Sequence, residues 1–123
     1  MAYPSYLTYV VKSNRRAAQS FLLEVSSRQQ RYLLDARTYA DASSTTAPND
    51  IATLLFISSP PDVARNYDVT SPRTAPTASA PQPRFTAVAT PKGLQLARDS
   101  ACGTLTIDET GAKTASGGGA TCW

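Results

Sequence analysis

The most reactive side chains in this chain are those of its two cysteines, Cys102 and Cys122, near the C-terminus. In a reducing compartment they would be free thiols, and their spacing lacks the second CxxC or the histidine pair of a zinc site. The segment between them contains Gly117, Gly118 and Gly119 in a row and is too poor in apolar residues to hold itself together. We therefore predict a structural disulfide, which closes a loop of roughly 20 residues and stabilises the fold by about 3 kcal/mol.

Enzymatic chemistry has little support, because the sequence contains no histidine. Histidine-based catalytic triads, imidazole acid–base catalysis and histidine-ligated metal sites are thereby excluded. The phosphate-binding and nucleophile motifs GxxxxGKS/T, GxGxxG and GxSxG are absent as well. Asp99, Asp108 and Glu109 do not form a recognisable calcium loop. We predict no catalytic residue, no metal site and no cofactor, and we do not expect an enzyme.

The basic residues are the second group to consider, because the net charge is +3 and the pI is near 9.1. This balance is mild, and it is more typical of an ordinary surface than of a dedicated nucleic-acid binder. Four basic residues fall on or near predicted strands and the C-terminal loop and are the candidates for contacts with DNA: Arg84, Lys92, Arg98 and Lys113. Four others are better explained as a solvated helix face, or as partners of charges on neighbouring chains: Arg15, Arg16, Arg28 and Arg31.

The element that carries much of this charge is one long amphipathic helix, predicted over residues 4–39. Its interior lacks Gly and Pro, and Pro4 is tolerated in the first turn, where its missing N–H would have no partner in the helix. The apolar residues recur mostly at spacings of three and four: Leu7, Val10, Val11, Ala18, Phe21, Leu22, Val25, Tyr32, Leu33, Ala36 and Tyr39. The opposite face is charged: Lys12, Arg15, Arg16, Glu24, Arg28, Arg31 and Asp35.

Residues 40–66 break the helical pattern and predict a loop, rich in Ser, Thr and Ala and closed by Pro60 and Pro61. Leu54, Leu55 and Phe56 are expected to fasten this loop to the core, with room for one turn of helix.

Four short strands are predicted after this loop, at residues 67–70, 84–90, 104–108 and 112–114, with Gly111 available for the positive φ of a turn. The intervening segment 71–83 contains four prolines, which predicts an exposed, extended loop. A long helix followed by antiparallel strands is an α+β architecture. The helix must cover the apolar face of the four-stranded sheet, since no other element is large enough. We expect a single domain over residues 1–123.

Several segments, in order along the chain, resemble type IV pilins. Ala2-Tyr3-Pro4-Ser5-Tyr6, followed by Tyr9-Val10, resembles the IPSYxxYV stretch midway along the pilin N-terminal helix. Ser27-Arg28-Gln29-Gln30-Arg31-Tyr32 is similar to the minor-pilin pattern RQERYY, and Phe85-Thr86-Ala87-Val88-Ala89-Thr90-Pro91 resembles FTLTATP. Cys102-Gly103-Thr104-Leu105-Thr106-Ile107-Asp108, with Gly111 and Cys122-Trp123, is similar to CGTLTLDxxG…CW. Within the family, the likeness is to the PilE-type minor pilins.

The resemblance implies the pilin fold, in which a long N-terminal helix packs on an antiparallel sheet with a disulfide-closed C-terminal region. It implies a minor subunit of a bacterial type IV pilus that helps to prime assembly, and hence contributes to twitching motility, adhesion or DNA uptake. Its partners would be other major and minor pilins, and also the inner membrane. The membrane contact would be made through a leader and anchoring half-helix that we expect to be missing from this sequence.

Two alternatives stay open beside this assembly role. One is a DNA-receptor pilin that serves natural transformation, and the other is a type II secretion pseudopilin, against which the cysteine pair argues. Tyr3, Tyr6 and Tyr9 would form an aromatic stripe for a membrane interface or a partner, or pack as ordinary helix residues. We expect the turns from Tyr3 to Val11 to project with exposed apolar side chains, and Trp123 to seal the disulfide loop against the sheet.

Overall fold

A computed structural model describes residues 3–42, 55, 57, 60–74, 77–79, 81–118 and 122–123 of the chain. Helix α1 (Tyr3–Ala36) opens it. The helix ends at Ala36 rather than at Tyr39, because Arg37 adopts a left-handed backbone with a φ of 62°. The Arg37 N–H still donates to the Leu33 carbonyl at 2.8 Å, and the chain then leaves the helix axis. Tyr39 is thereby free to pack on Phe85, with 4.6 Å between the ring centroids.

One face of α1 forms the centre of the core. Ala18, Phe21, Leu22 and Val25 are buried, and Tyr32 and Leu33 pack half-buried against them, which confirms the predicted apolar stripe. Nearer the start of the helix, Tyr6 and Tyr9 are exposed as expected. Leu7 and Val10 are half-buried and Val11 is buried, so the predicted projection of exposed apolar side chains from Tyr3 to Val11 is wrong at these three residues.

The strands that follow are β1 (Tyr67–Thr70), β2 (Arg73–Thr74), β3 (Arg84–Pro91), β4 (Leu105–Asp108) and β5 (Lys113–Ala115). Four of them form an antiparallel sheet in the order β1-β3-β4-β5, and α1 packs on β3 and β4. Along β3, Phe85, Ala87 and Ala89 are buried, whereas Thr86 and Val88 lie half-exposed on the other face. This alternation is the one predicted from the sequence and confirms the α+β fold.

Two elements differ from the sequence-based expectation. Segment 71–83 is not an exposed loop at its start, because Ser71 is fully buried and β2 pairs with the first residues of β3. The Pro72 carbonyl accepts the Thr86 N–H at 3.1 Å, so proline supplies an acceptor where it lacks a donor. The second is helix α3 (Gly93–Arg98), which was not predicted because its leucines do not fall on a buried face.

The loop between α1 and β1 contains a single-turn helix, α2 (Pro61–Ala64), for which the sequence left room. Leu55 is buried in the core as predicted, and Ile57 joins it. Leu54 and Phe56 lie outside the described residues.

The C-terminal region is closed by the predicted disulfide between Cys102 and Cys122, whose Cα atoms are 5.5 Å apart. A Cβ at Gly117 would collide with the Ala101 carbonyl, so glycine is required where the loop passes the base of the disulfide. Trp123 packs half-buried against the core, and its Nε1 donates to the Thr114 carbonyl at 2.8 Å, as expected for a residue that seals this region. Within the described part of the chain, no helix is long and apolar enough to cross a membrane.

Candidate functional site

The four basic residues predicted to contact DNA do not form one compact cluster. Arg84 opens β3 and Lys92 follows its last residue, so the eight-residue strand, about 26 Å long, separates them. Arg98 ends α3 and Lys113 begins β5. The Lys92 Nζ lies 3.0 Å from the Asp68 carboxylate in an exposed ion pair. A contact between any of these residues and DNA stays a prediction.

Three exposed arginines belong to the turn after α1 (Arg37), to β2 (Arg73) and to the start of β3 (Arg84), and we call them the arginine surface. Arg73 stands opposite Phe85 and Thr74 stands opposite Arg84 in the β2–β3 pair, so the side chains of Arg73 and Arg84 leave opposite faces of the pair at this end. The Arg73 Nη1 donates to the Oγ1 of Thr38, the residue after Arg37, at 3.2 Å. The surface thus joins the end of α1 to two strands that are distant from it in sequence.

A buried glutamine fixes the backbone beneath the arginine surface. The Gln29 Nε2 donates at 2.8 Å to both the Ala40 carbonyl and the Ser71 hydroxyl, and its Oε1 accepts the Ala40 N–H at 2.9 Å. Ala42 and Ser71 also exchange backbone hydrogen bonds of 3.0 and 2.7 Å. The Gln29 side chain therefore fixes the segment after α1 relative to the segment before β2, and its own polar atoms are hydrogen-bonded. We call this arrangement the frame.

The charge of the arginine surface is little compensated. The Asp41 Oδ1 accepts the backbone N–H of Arg73 at 3.2 Å, but the ion pairs among the described residues involve none of the three guanidinium groups. Unpaired guanidinium groups favour an anionic ligand, since each can donate charge-assisted hydrogen bonds to phosphate or carboxylate oxygens. Of these three arginines the sequence indicates only Arg84, because the pairing of β2 with β3 that brings Arg73 to this strand has no local signal.

A second surface lies where β3 ends and α1 packs against α3. Lys12, Arg65 and Arg98 are exposed there. Arg98 lines two clefts, one of about 260 Å³ shared with Arg65 and Leu94, and one of about 400 Å³ shared with Lys12. Leu94 and Leu96 on α3 are exposed by 65% and 52%. We call Lys12, Arg65, Leu94, Leu96 and Arg98 the α1–α3 surface.

A buried polar network lies beneath the α1–α3 surface, and it shows that the prediction of a solvated Arg15 is wrong. The Arg15 Nη1 lies 2.6 Å from the Asp99 Oδ1, and both side chains are buried. The Gln95 Nε2 donates to the Tyr67 hydroxyl at 3.0 Å and to the Val11 carbonyl at 3.2 Å. Burial raises the pKa of the Tyr67 hydroxyl. Arg15 can stay inside because the residue after α3 supplies a carboxylate to pair with it.

The last predicted candidate, Lys113, lies beside the disulfide-closed region. Its Nζ is 5.7 Å from the centroid of the Trp123 ring, within the range of a cation–π interaction. In the adjoining turn, the hydroxyl of Thr110 donates to the Asp108 carboxylate, and this hydrogen bond lowers the pKa of that carboxyl. Lys113 therefore lies between the Trp123 ring and the turn that leads into β5.

Within the described residues, no group of His, Cys, Asp and Glu side chains could hold a metal ion. Residues 4–106 match the family model described as type IV minor pilin ComP, DNA uptake sequence receptor. The matched span contains α1 from its second residue onward, both named surfaces and the strands from β1 to β3. No curated protein matches the chain. Since the family match covers most of the 123 residues, the chain belongs to the ComP family of type IV minor pilins.

Proposed function

We propose that this chain is a DNA-receptor minor pilin that binds duplex DNA through the arginine surface. The observation that carries the proposal is the family match, because the family is described as a DNA uptake sequence receptor. The matched residues include Arg37, Arg73 and Arg84. The proposal reverses the order favoured by the sequence, in which the assembly role came first and the DNA receptor second.

The chemistry of the arginine surface suits the phosphate backbone of a duplex. A guanidinium presents five N–H donors in a planar fork, and Arg73 uses its contact to Thr38 to orient that fork while other donors stay available. The frame built by Gln29 is buried and hydrogen-bonded before any ligand arrives. Binding would therefore cost little ordering of the backbone, which favours affinity.

The test is fluorescence anisotropy of a labelled DNA duplex at several salt concentrations. If three arginines each neutralise one phosphate, the logarithm of the binding constant should fall with the logarithm of salt with a slope of about −2.7. Arg73→Glu with Arg84→Glu should weaken binding by about tenfold or more, since charge-assisted hydrogen bonds are lost. The slope should become shallower by about 1.8.

The matched control reverses two charges on the other surface, Lys12→Glu with Arg98→Glu. Each double variant changes the net charge by the same amount, from +3 to −1, so non-specific attraction falls equally in both. We expect the control to keep most of its DNA affinity. Equal losses in the two double variants would place DNA binding in overall charge rather than in the arginine surface, and a wild-type protein that binds no duplex at low salt would end the proposal.

The second candidate function is that of a minor pilin in pilus assembly. The exposed Tyr6 and Tyr9 of α1 support it. Exposed aromatic residues on a helix suit a neighbouring pilin helix, and they would place the protein in a pilus, with a stage at the inner membrane before assembly. Deletion of the gene should reduce surface pili and twitching. Unchanged pili with lost DNA uptake would leave the receptor role alone standing.

A further inference from the structure

The α1–α3 end of the molecule inverts the usual arrangement of polar and apolar side chains. Gln95 is only 2% exposed, whereas the leucines on either side of it, Leu94 and Leu96, are exposed by 65% and 52%. A short surface helix ordinarily turns its leucines inward and its glutamine outward. Leucines held outside by a hydrogen-bonded glutamine indicate a ligand that accepts apolar side chains.

The same surface is positively charged once the internal ion pairs are counted. Asp99 is paired with Arg15 inside the protein, and Asp68 is paired with Lys92. Lys12, Arg65 and Arg98 form no ion pair among the described residues. The cations surround the clefts whose edges include Leu7 and Leu94, so charge and apolar surface are interleaved rather than separated.

We propose that the α1–α3 surface binds an anionic phospholipid bilayer, with the leucines entering the interface and the cations contacting lipid phosphates. Interfacial binding needs both features together, exposed apolar or aromatic side chains and Lys or Arg residues beside them. Leu94 and Leu96 supply the first feature. The proposal is independent of the DNA site, which uses arginines at the other end of β3.

Charge and polarity decide between a bilayer and other occupants. A DNA duplex presents phosphates, but it offers the exposed leucines no apolar partner along its backbone. A second copy of the chain would bring the same cations against each other, and like charges in contact oppose association. An anionic bilayer satisfies both halves of the surface, because its phosphates face the cations and its acyl region accepts leucine.

The test is co-sedimentation of the whole chain with vesicles of phosphatidylglycerol and phosphatidylcholine, compared with vesicles of phosphatidylcholine alone. We expect binding to the anionic vesicles that weakens as salt is raised. Each cation near such a surface strengthens binding by roughly fivefold, so Lys12→Glu with Arg98→Glu should reduce it by about 20-fold or more. Arg73→Glu with Arg84→Glu has the same net charge and should reduce it far less.

The apolar contribution has its own matched pair. Leu94→Ser with Leu96→Ser should lower vesicle binding by about tenfold, because two side chains no longer leave water. Leu23→Ser with Leu34→Ser changes two exposed leucines of α1 outside this surface and should bind as the wild type does. Far-UV circular dichroism and thermal melting verify that the variants are folded.

Three results of the vesicle experiment would each overturn the proposal. They are no binding to anionic vesicles at low salt, equal binding to neutral vesicles, and no loss in the Leu94 and Leu96 variant. The crossed charge variants separate this proposal from the DNA site. If the Lys12 and Arg98 variant loses DNA and keeps vesicles, the α1–α3 surface is a nucleic-acid surface and the lipid proposal is wrong.

Discussion

The two ends of β3 fasten α1 to the sheet with different chemistry. Where β3 begins, the neutral amide of Gln29 satisfies backbone groups of two loops. Where β3 ends, the ion pair of Arg15 and Asp99 and the amide of Gln95 connect α1 to α3 and β1. A neutral anchor can be buried without a charged partner, whereas the buried arginine requires a carboxylate beside it.

This difference determines what the surface above each anchor can do. The arginine surface consists of cations over a neutral frame, and it suits a ligand that is all phosphate at its edge. Beneath the α1–α3 surface the buried side chains are polar, namely Arg15, Gln95 and Asp99. The leucines of this surface are exposed beside its cations. Two surfaces of similar charge can therefore bind different ligands, because only the α1–α3 surface has exposed leucines beside its cations.

The largest effect is expected from Asp99→Ala, which removes one partner of the buried ion pair. Arg15 would stay in a poorly solvated site without its carboxylate, and the free energy of unfolding should fall by about 3–5 kcal/mol. Urea denaturation at constant m-value measures the loss. The double replacement of Arg15→Met with Asp99→Leu should lose less than the single one. A single variant as stable as the wild type would mean that Arg15 is not held inside.

A smaller effect is expected from Gln29→Ala at the other anchor. The change leaves the buried Ala40 backbone groups and the Ser71 hydroxyl without this partner, which should cost about 1–3 kcal/mol. DNA affinity should fall as well, because both arginine-bearing segments rest on this side chain, whereas folded Asp99→Ala protein should keep it. The control is Gln30→Ala, an exposed neighbour, for which about 0.5 kcal/mol or less is expected. DNA affinity unaffected by Gln29→Ala would separate the frame from the arginine surface.

Much of the fold could be predicted from local patterns. The apolar spacing of α1 and the alternation along β3 both report a buried face directly, and the structure confirms them at Phe21, Leu22, Phe85 and Ala87. Helix α3 could not be found in this way, because its buried residue is Gln95, whose partners come from α1, β1 and the residue after α3. Its polar contacts are long-range, and no spacing within six residues reveals them.

The candidate site was less accessible to sequence reasoning. The sequence shows which residues are basic but not which of them lie close together. Arg84, Lys92, Arg98 and Lys113 are one group in the sequence, whereas in the fold Arg84 and Lys92 lie at opposite ends of β3. The partners of Arg84 are supplied by β2 and by the left-handed turn at Arg37, neither of which has a strong local signal. In contrast, the disulfide was predictable, because two cysteines around a glycine-rich segment allow a single pairing.

The smallest effect, and the sharpest test of the arginine surface, is expected from Arg37→Gly. Arg37 ends α1 with a φ of 62°, a conformation that glycine adopts without the steric cost of a side chain. Glycine should therefore stabilise the protein by about 0.5–1 kcal/mol, part of the gain being offset by its freer unfolded chain. DNA affinity should fall at the same time, and the salt slope should become shallower by about 0.9.

Arg37→Asn should lose the same affinity, since asparagine tolerates the turn but carries no charge. Arg31→Gln on the exposed face of α1 should change neither property. A variant that gains stability and keeps its DNA affinity would reduce the arginine surface to Arg73 and Arg84. A variant that loses affinity while gaining stability would show that arginine occupies this turn for its charge, at a cost in stability that binding offsets.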